Sequence, residues 1–189
     1  EAGFSFFNKP GKIVALRDSK RFYQATTAEK REAVTVLLTI SASGQTGSYL
    51  VIFKGKKAIS DEIKADGPAN AMVTVSKNGW INSQIFLLFL LHFIKFAPPT
   101  RIVLVLMDSH SSHIAPEAIQ FAYDNQIFLL TFPSNTTHLL QTLDQSVFGP
   151  TKTFWKQKVK KILKKSGYKP TRKDFVPVFS KVYPESATM

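Results

Sequence analysis

The chain has 189 residues, 44% hydrophobic and 12% aromatic, which is enough for one domain with a real core and too apolar for a disordered segment. It has no cysteine, which excludes disulfides and thiolate metal sites such as zinc fingers and fits a reducing compartment. The formal net charge is +12, yet ten basic residues and no acidic one lie between Thr151 and Lys173, so the rest of the chain nets only +2. Charge this concentrated implies a polyanionic partner, nucleic acid ahead of an anionic membrane; a solvated lysine-rich helix face is the plainer alternative.

Glu1 to Arg31 is mixed in pattern, with Phe4, Phe6 and Phe7 as core candidates, a turn at Pro10-Gly11 and a short strand at Lys12–Leu16. No signal peptide is visible, and Glu1 in place of Met suggests a piece of something longer. Val34–Ile40 is β-branched and apolar, and a turn at Ser41–Gly47 leads to Tyr49–Phe53, a hairpin signal. Ser60–Ala71 reads as a surface excursion and Val73–Val75 as a short edge strand. A helical pattern runs from about Asn82 to Phe96 and is closed by Pro98-Pro99. Its apolar residues go nearly all round, which predicts burial against a sheet, and Ile85–Phe96 is too short to span a bilayer.

Ile102–Met107 is an uninterrupted apolar run, the pattern of a strand buried on both faces, and it ends abruptly at Asp108. Pro116 suits the first turn of a helix reaching about Asn125, with Glu117 near its positive end. Ile127–Phe132 is a second such run, so the order is that of a βαβ unit whose two strands end at the same edge. His138–Phe148 is a loop or short turn containing Asp144. From Pro150 an amphipathic helix places Trp155, Val159, Ile162 and Leu163 on one face and lysines on the other, and Gly167 ends it. Tyr168–Met189 is Pro-rich and weakly patterned, so residues 1–165 read as the domain and 166–189 as a weakly structured extension.

Ligands gather beyond the carboxyl ends of strands in open α/β sheets, which is where Asp108 falls. Asp144 follows after 35 intervening residues. If the Pro116 helix and the Ile127 strand return the chain to the same edge, both carboxylates can converge on one hard divalent cation such as Mg²⁺. Two such ions can clamp the attacking and leaving oxygens of a phosphodiester displacement, and a third carboxylate is then expected. On spacing alone, the competing reading is that both Asp residues are caps and turn formers. His110 and His113 stand at i, i+3 without a third ligand nearby, which is weak evidence for zinc. They read instead as hydrogen-bonding groups of the loop, with His113 and His138 supporting a metal ligand. Trp80 and Trp155 read as core anchors.

The blocks VTVLLTISASG (Val34–Gly44), GWINSQIF (Gly79–Phe86), LVLMDSHSSHI (Leu104–Ile114) and LTFPSNTTHLLQTLDQSVFGPTK (Leu130–Lys152), in that order, resemble the DDE superfamily endonucleases of the pogo, Tigger and jerky type. The resemblance extends from Glu1 to about Lys160. It implies an α/β, ribonuclease H-like mixed sheet flanked by helices, acting on DNA in the nucleus by metal-dependent cleavage and strand transfer. It also implies two Mg²⁺ or Mn²⁺ ions, no small-molecule cofactor and no membrane, and leaves a homodimer open. Asp108 matches the second acidic ligand and Asp144 the third. The first belongs to an Asp-Glu-(Thr or Ser)-Gly motif whose remainder matches Glu1-Ala2-Gly3-Phe4, so that Asp would fall just before residue 1. The first central strand would then be missing, and the segment is expected to be poorly stable and inactive alone.

Ser109 stands where the family has Gly or Asn, Ser134 where it has a second Pro, and Thr142 where Pro precedes Leu-Asp; these departures predict looser loops around Asp108 and Asp144. Lys152, Lys156, Lys160, Lys161, Lys164 and Lys165 are expected to track DNA phosphates without reading sequence. A second hypothesis is a domesticated DNA-binding or chromatin protein that keeps the fold without catalysis. A third, an unrelated α/β phosphate-binding domain, lacks the glycine-rich loop it would need.

Overall fold

The computed structural model describes residues 1–6, 33–56, 67–100, 102–133, 136, 140–168 and 170–187. Phe7, the expected strand at Lys12–Leu16 and most of the Ser60–Ala71 excursion lie outside them.

Two β-branched stretches around a polar turn form the centre. β2 (Ala33–Ile40) and β3 (Thr46–Lys54) pair antiparallel as the expected hairpin, and Gly44 takes φ +82° in its turn. β1 (Ala2–Ser5) adds antiparallel to β2, and β4 (Ala71–Ser76) adds parallel to β3 at the opposite edge. Alternate residues of β2 and β3 point to opposite faces, and both sets are buried because helices cover each side.

One face carries Phe4, Val36, Tyr49, Val51 and Phe53 and packs on α3 (Phe148–Ser166) and α4 (Arg172–Ala187). Trp155 anchors α3 there: its Nε1–H donates to the carbonyl of Ser5 at 2.9 Å, and its ring meets Phe6 and Phe175. Gly167, in the left-handed region at φ +67°, closes α3 as expected, its N–H bonding to Leu163 O. α4 corrects the reading of 166–189 as weakly structured. Phe175, Val176, Phe179, Val182 and Tyr183 are all buried in this core. Pro177 and Pro184 inside the helix disguise its period, because proline ordinarily marks a helix end. Asp174 ties down the entry by accepting from Thr171 N, Thr171 Oγ1 and Tyr168 Oη.

The other face, with Leu37, Leu50 and Ile52, packs on α1 (Ser83–Phe93). Asn82 caps α1 by accepting from Ile85 N at 2.9 Å. Ile85, Phe86, Phe89 and Leu90 are buried, but Leu88 and Leu91 face solvent, so α1 is covered on one side rather than all round. Trp80, in the turn before it, is 54% exposed and is not the core anchor expected.

β5 (Val103–Met107), α2 (Pro116–Asp124) and β6 (Ile127–Thr131) form the expected βαβ unit, with Val103 opposite Ile127 and Met107 opposite Thr131. Met107, Ala118 and Phe121 join the core around α1. Burial of β5 and β6 on both faces does not hold. They make a separate two-stranded sheet, leaving Ile102 67%, Leu104 59%, Leu106 55%, Phe128 57% and Leu130 55% exposed. An apolar run reports that a strand can be covered on both sides, and here helices cover only one.

Candidate metal centre and nucleic-acid interface

β5 delivers Asp108 at its carboxyl end, and the next five residues fold back on it. The backbone N–H of His110 donates to Asp108 Oδ1 at 3.2 Å, an Asx-type turn that Asp favours two residues on. The Nδ1 of His113 lies 2.8 Å from the same oxygen. His113 N–H closes the turn on His110 O at 2.9 Å, and Ser112 Oγ holds His110 Nδ1 at 2.7 Å. His113 is 3% exposed, with its ring 4.5 Å from that of Phe86 on α1 and inclined at 38°. Both of its ring nitrogens are buried, and the close approach of Nδ1 to Asp108 lacks hydrogen-bond geometry.

The Asp108 carboxyl is lowered from 3.8 to about 2, first by the adjacent His113 side chain, against the opposing effect of burial, and further by the charge of His113 and the His110 N–H. The Glu1 side chain has Oε2 buried without a partner among the described residues. An ionised carboxylate that accepts from the His110 N–H and lies close to the His113 ring has the chemistry of a hard-cation ligand.

Asp144 is placed differently. It is exposed on a π turn, Leu143–Val147, that leads into α3, with its N–H bonded to Gln141 O at 3.0 Å. Leu143 and Val147 pack into the core on the α3 and α4 side of the sheet, whereas Met107, next to Asp108, packs on the α1 side. Among the described residues, no three His, Asp or Glu side chains are gathered closely enough to hold a metal ion. His138 lies outside the described residues, as does Ser134. Neither remaining departure distorts its loop: Thr142 has φ −51°, a value open to proline as well, and Ser109 does not adopt positive φ.

The basic face of α3 follows from its period. Phe148, Thr151, Trp155 and Val159 are buried at helical spacing, which turns Lys156, Lys160, Lys161, Lys164 and Lys165 to solvent. Lys152 is half-buried, its Nζ 5.9 Å from the centre of the Phe148 ring. Gln157, Lys160, Lys161, Lys164 and Lys165 line an open groove in which none of the lysines is paired with a described acid. Sequence reasoning missed Phe86, whose contact with His113 joins residues on different elements, although Phe86 lies in one of the blocks that carry the resemblance.

Comparison with known proteins follows the same lines. Residues 30–176 match the family model described as DDE superfamily endonuclease. The chain is also 31% identical, over a 196-residue alignment covering all of it, to a protein of Cochliobolus lunatus named MFS-type transporter clz9. It spans only 21% of that relative's length. Among the described residues no helix is long and apolar enough to cross a membrane. No solved structure matches the chain.

Proposed function

The chain belongs to the DDE superfamily endonucleases, and from that premise we propose that it is the catalytic domain of a transposase-type nuclease of the pogo, Tigger and jerky group, acting on DNA in the nucleus. The observation that carries this reading is the Asp108 site itself: an ionised carboxylate at a strand end that accepts from the His110 N–H and lies close to the His113 ring. Asp108, Asp144 and an acid immediately upstream of Glu1 would hold Mg²⁺ or Mn²⁺. Ions so held supply activation of a water or 3′-hydroxyl and stabilisation of the leaving oxygen. The lysines of α3 bind and orient the phosphate backbone.

The proposed fold is ribonuclease H-like, with one more central strand. β1 reaches only Val36 of β2, although β2 continues to Ile40, so residues upstream of Glu1 would lie opposite Leu37–Ile40. Such a segment would lie beside β5 and join the two sheets.

The test is nicking of supercoiled DNA by protein extended upstream of Glu1, in Mg²⁺ or Mn²⁺. Nicking abolished by Asp108→Asn and Asp144→Asn with DNA binding kept is the expected result. Nicking that survives Asp108→Asn rejects the assignment. Binding without any nicking supports the second reading, a domesticated DNA-binding protein, which the lysine groove favours independently of the carboxylates.

A further inference from the structure

We propose that Trp80 is a stacking platform for an unpaired base and that the basic rim around it takes single-stranded DNA; this rests on DNA as the partner of the chain and not on the carboxylates. Parallel β3 and β4 end together, with Lys54 opposite Ser76, and the turn after β4 folds back over that end. Gly79 makes the fold-back possible. Its N–H donates to Ser76 O at 3.2 Å, its φ is +87°, and a Cβ there would stand 3.1 Å from Lys54 Cβ. Asn78 Oδ1 accepts from Ser76 Oγ and from Trp80 N, both at 3.0 Å. Ile81, one residue on, is 6% exposed in the core around α1, whereas Trp80 is left 54% exposed. The backbone on both sides of the indole is therefore fixed, and a flat ligand that lands on the ring orders little of the chain in doing so.

The surroundings select the ligand. Lys54 and Lys56 at the end of β3, and Lys77 in the turn, are exposed, and none is paired with an acid among the described residues. Arg172 stands at the same end of β3, its Cζ 5.9 Å from the centre of the Phe53 ring. It opens α4 five residues after Gly167 closes α3, a stretch that spans at most about 18 Å, so the last turn of α3, with Lys164 and Lys165, ends within that distance of Arg172. Asn78 and Asn82, on either side of the indole in the chain, are polar and exposed, so the ring lacks the apolar surround that a protein partner would cover. A nucleotide offers a flat π-face and a negative charge in one repeating unit, which is the complement of an indole among cations. A base inside a duplex has both faces covered by its neighbours, so the indole reaches one only where the strand is unpaired.

The experiment is titration of the full chain with oligo-dT and with duplex DNA of the same length, read by anisotropy of a dye on the DNA and by tryptophan emission. Trp155 is buried and Trp80 is exposed, so emission lost on binding reports Trp80. Oligo-dT is expected to quench the wild type. Trp80→Ala should weaken oligo-dT binding about tenfold and duplex binding by less than about twofold, and Trp80→Phe should keep oligo-dT affinity within about threefold. Lys54→Ala combined with Lys77→Ala should lower the slope of log affinity for oligo-dT against log salt by about 1.4. Thermal unfolding checks each variant; if Trp80→Ala fails to fold, quenching of the wild type decides. A folded Trp80→Ala that binds oligo-dT like the wild type, an equal loss on duplex, or emission unchanged on binding overturns the stacking role. A wild type that binds duplex but not oligo-dT overturns this proposal and leaves DNA as the partner, whereas one that binds neither overturns both.

Discussion

Trp155 is where the basic helix is fixed to the sheet, and replacing it measures how firmly. The ring is 1% exposed, lies 4.7 Å from Phe175 and 5.6 Å from Phe6, and donates from Nε1 to Ser5 O. Truncating a buried aromatic to alanine costs about 3–5 kcal/mol, and Trp155→Ala is expected in that range. Trp155→Phe keeps most of the aromatic contact but leaves the Ser5 carbonyl without its donor, which costs about 1–3 kcal/mol. Domains hold only about 5–15 kcal/mol in total, so the phenylalanine variant is the measurement that stays on scale. Urea unfolding followed by far-ultraviolet circular dichroism gives both values. A loss below about 1 kcal/mol for Trp155→Ala would refute the anchoring argument. A stacking role on DNA predicts the opposite pattern, in which stability is kept and affinity for DNA falls.

Asp108, whose carboxyl is depressed to about 2 and whose side chain is 24% exposed, adds stability that is complete above its ordinary 3.8 and is lost as pH falls toward 2. Allowing for solvent screening, Asp108→Asn is expected to cost about 1–2 kcal/mol at pH 7. That difference from wild type should shrink between about pH 4 and pH 2 in acid unfolding, and a pH-independent difference would refute it. Replacing Lys160, Lys161 and Lys164 with alanine should reduce the slope of log affinity for DNA against log salt by about 2–3, and an unchanged slope rejects the groove as a phosphate track. Leu104→Thr and Leu106→Thr should each cost no more than about 0.5 kcal/mol in urea unfolding, because both side chains face solvent; a loss of several kcal/mol would show that face to be covered. Gly79→Ala should cost about 1–2 kcal/mol, since φ is +87° there and a Cβ would stand 3.1 Å from Lys54 Cβ; an unchanged melting temperature would contradict this.

The elements legible in the sequence are those whose pattern is local. The β2–β3 hairpin and the β5–α2–β6 unit follow from apolar runs and the turns between them. What an apolar run cannot tell is how many of its faces the fold will cover. Ile102–Met107 and the β2–β3 hairpin are similarly apolar, yet β3 lies between two helical layers and β5 against one. The same limit applies to α1, where Leu88 and Leu91 belong to an all-round pattern but are left 46% and 41% exposed. α4 was hidden for the opposite reason: its period is present in Phe175, Phe179 and Tyr183, but two prolines argue locally for an end that the aromatic core overrides.

At the site, the position of Asp108 was legible because a run of β residues stops at it, whereas the close approach of His113 to it was not. That approach depends on Phe86 of α1 offering a flat apolar floor to His113, a contact between residues 27 apart in sequence. Convergence of Asp108 with Asp144 was inferred from the return of β6 to the edge of β5, and β6 does return. The chain then continues to a turn whose Leu143 and Val147 are buried on the far side of the four-stranded sheet. The residues that flank the two carboxylates therefore pack on opposite layers, Met107 beside Asp108 on the α1 side and Leu143 beside Asp144 on the α3 and α4 side.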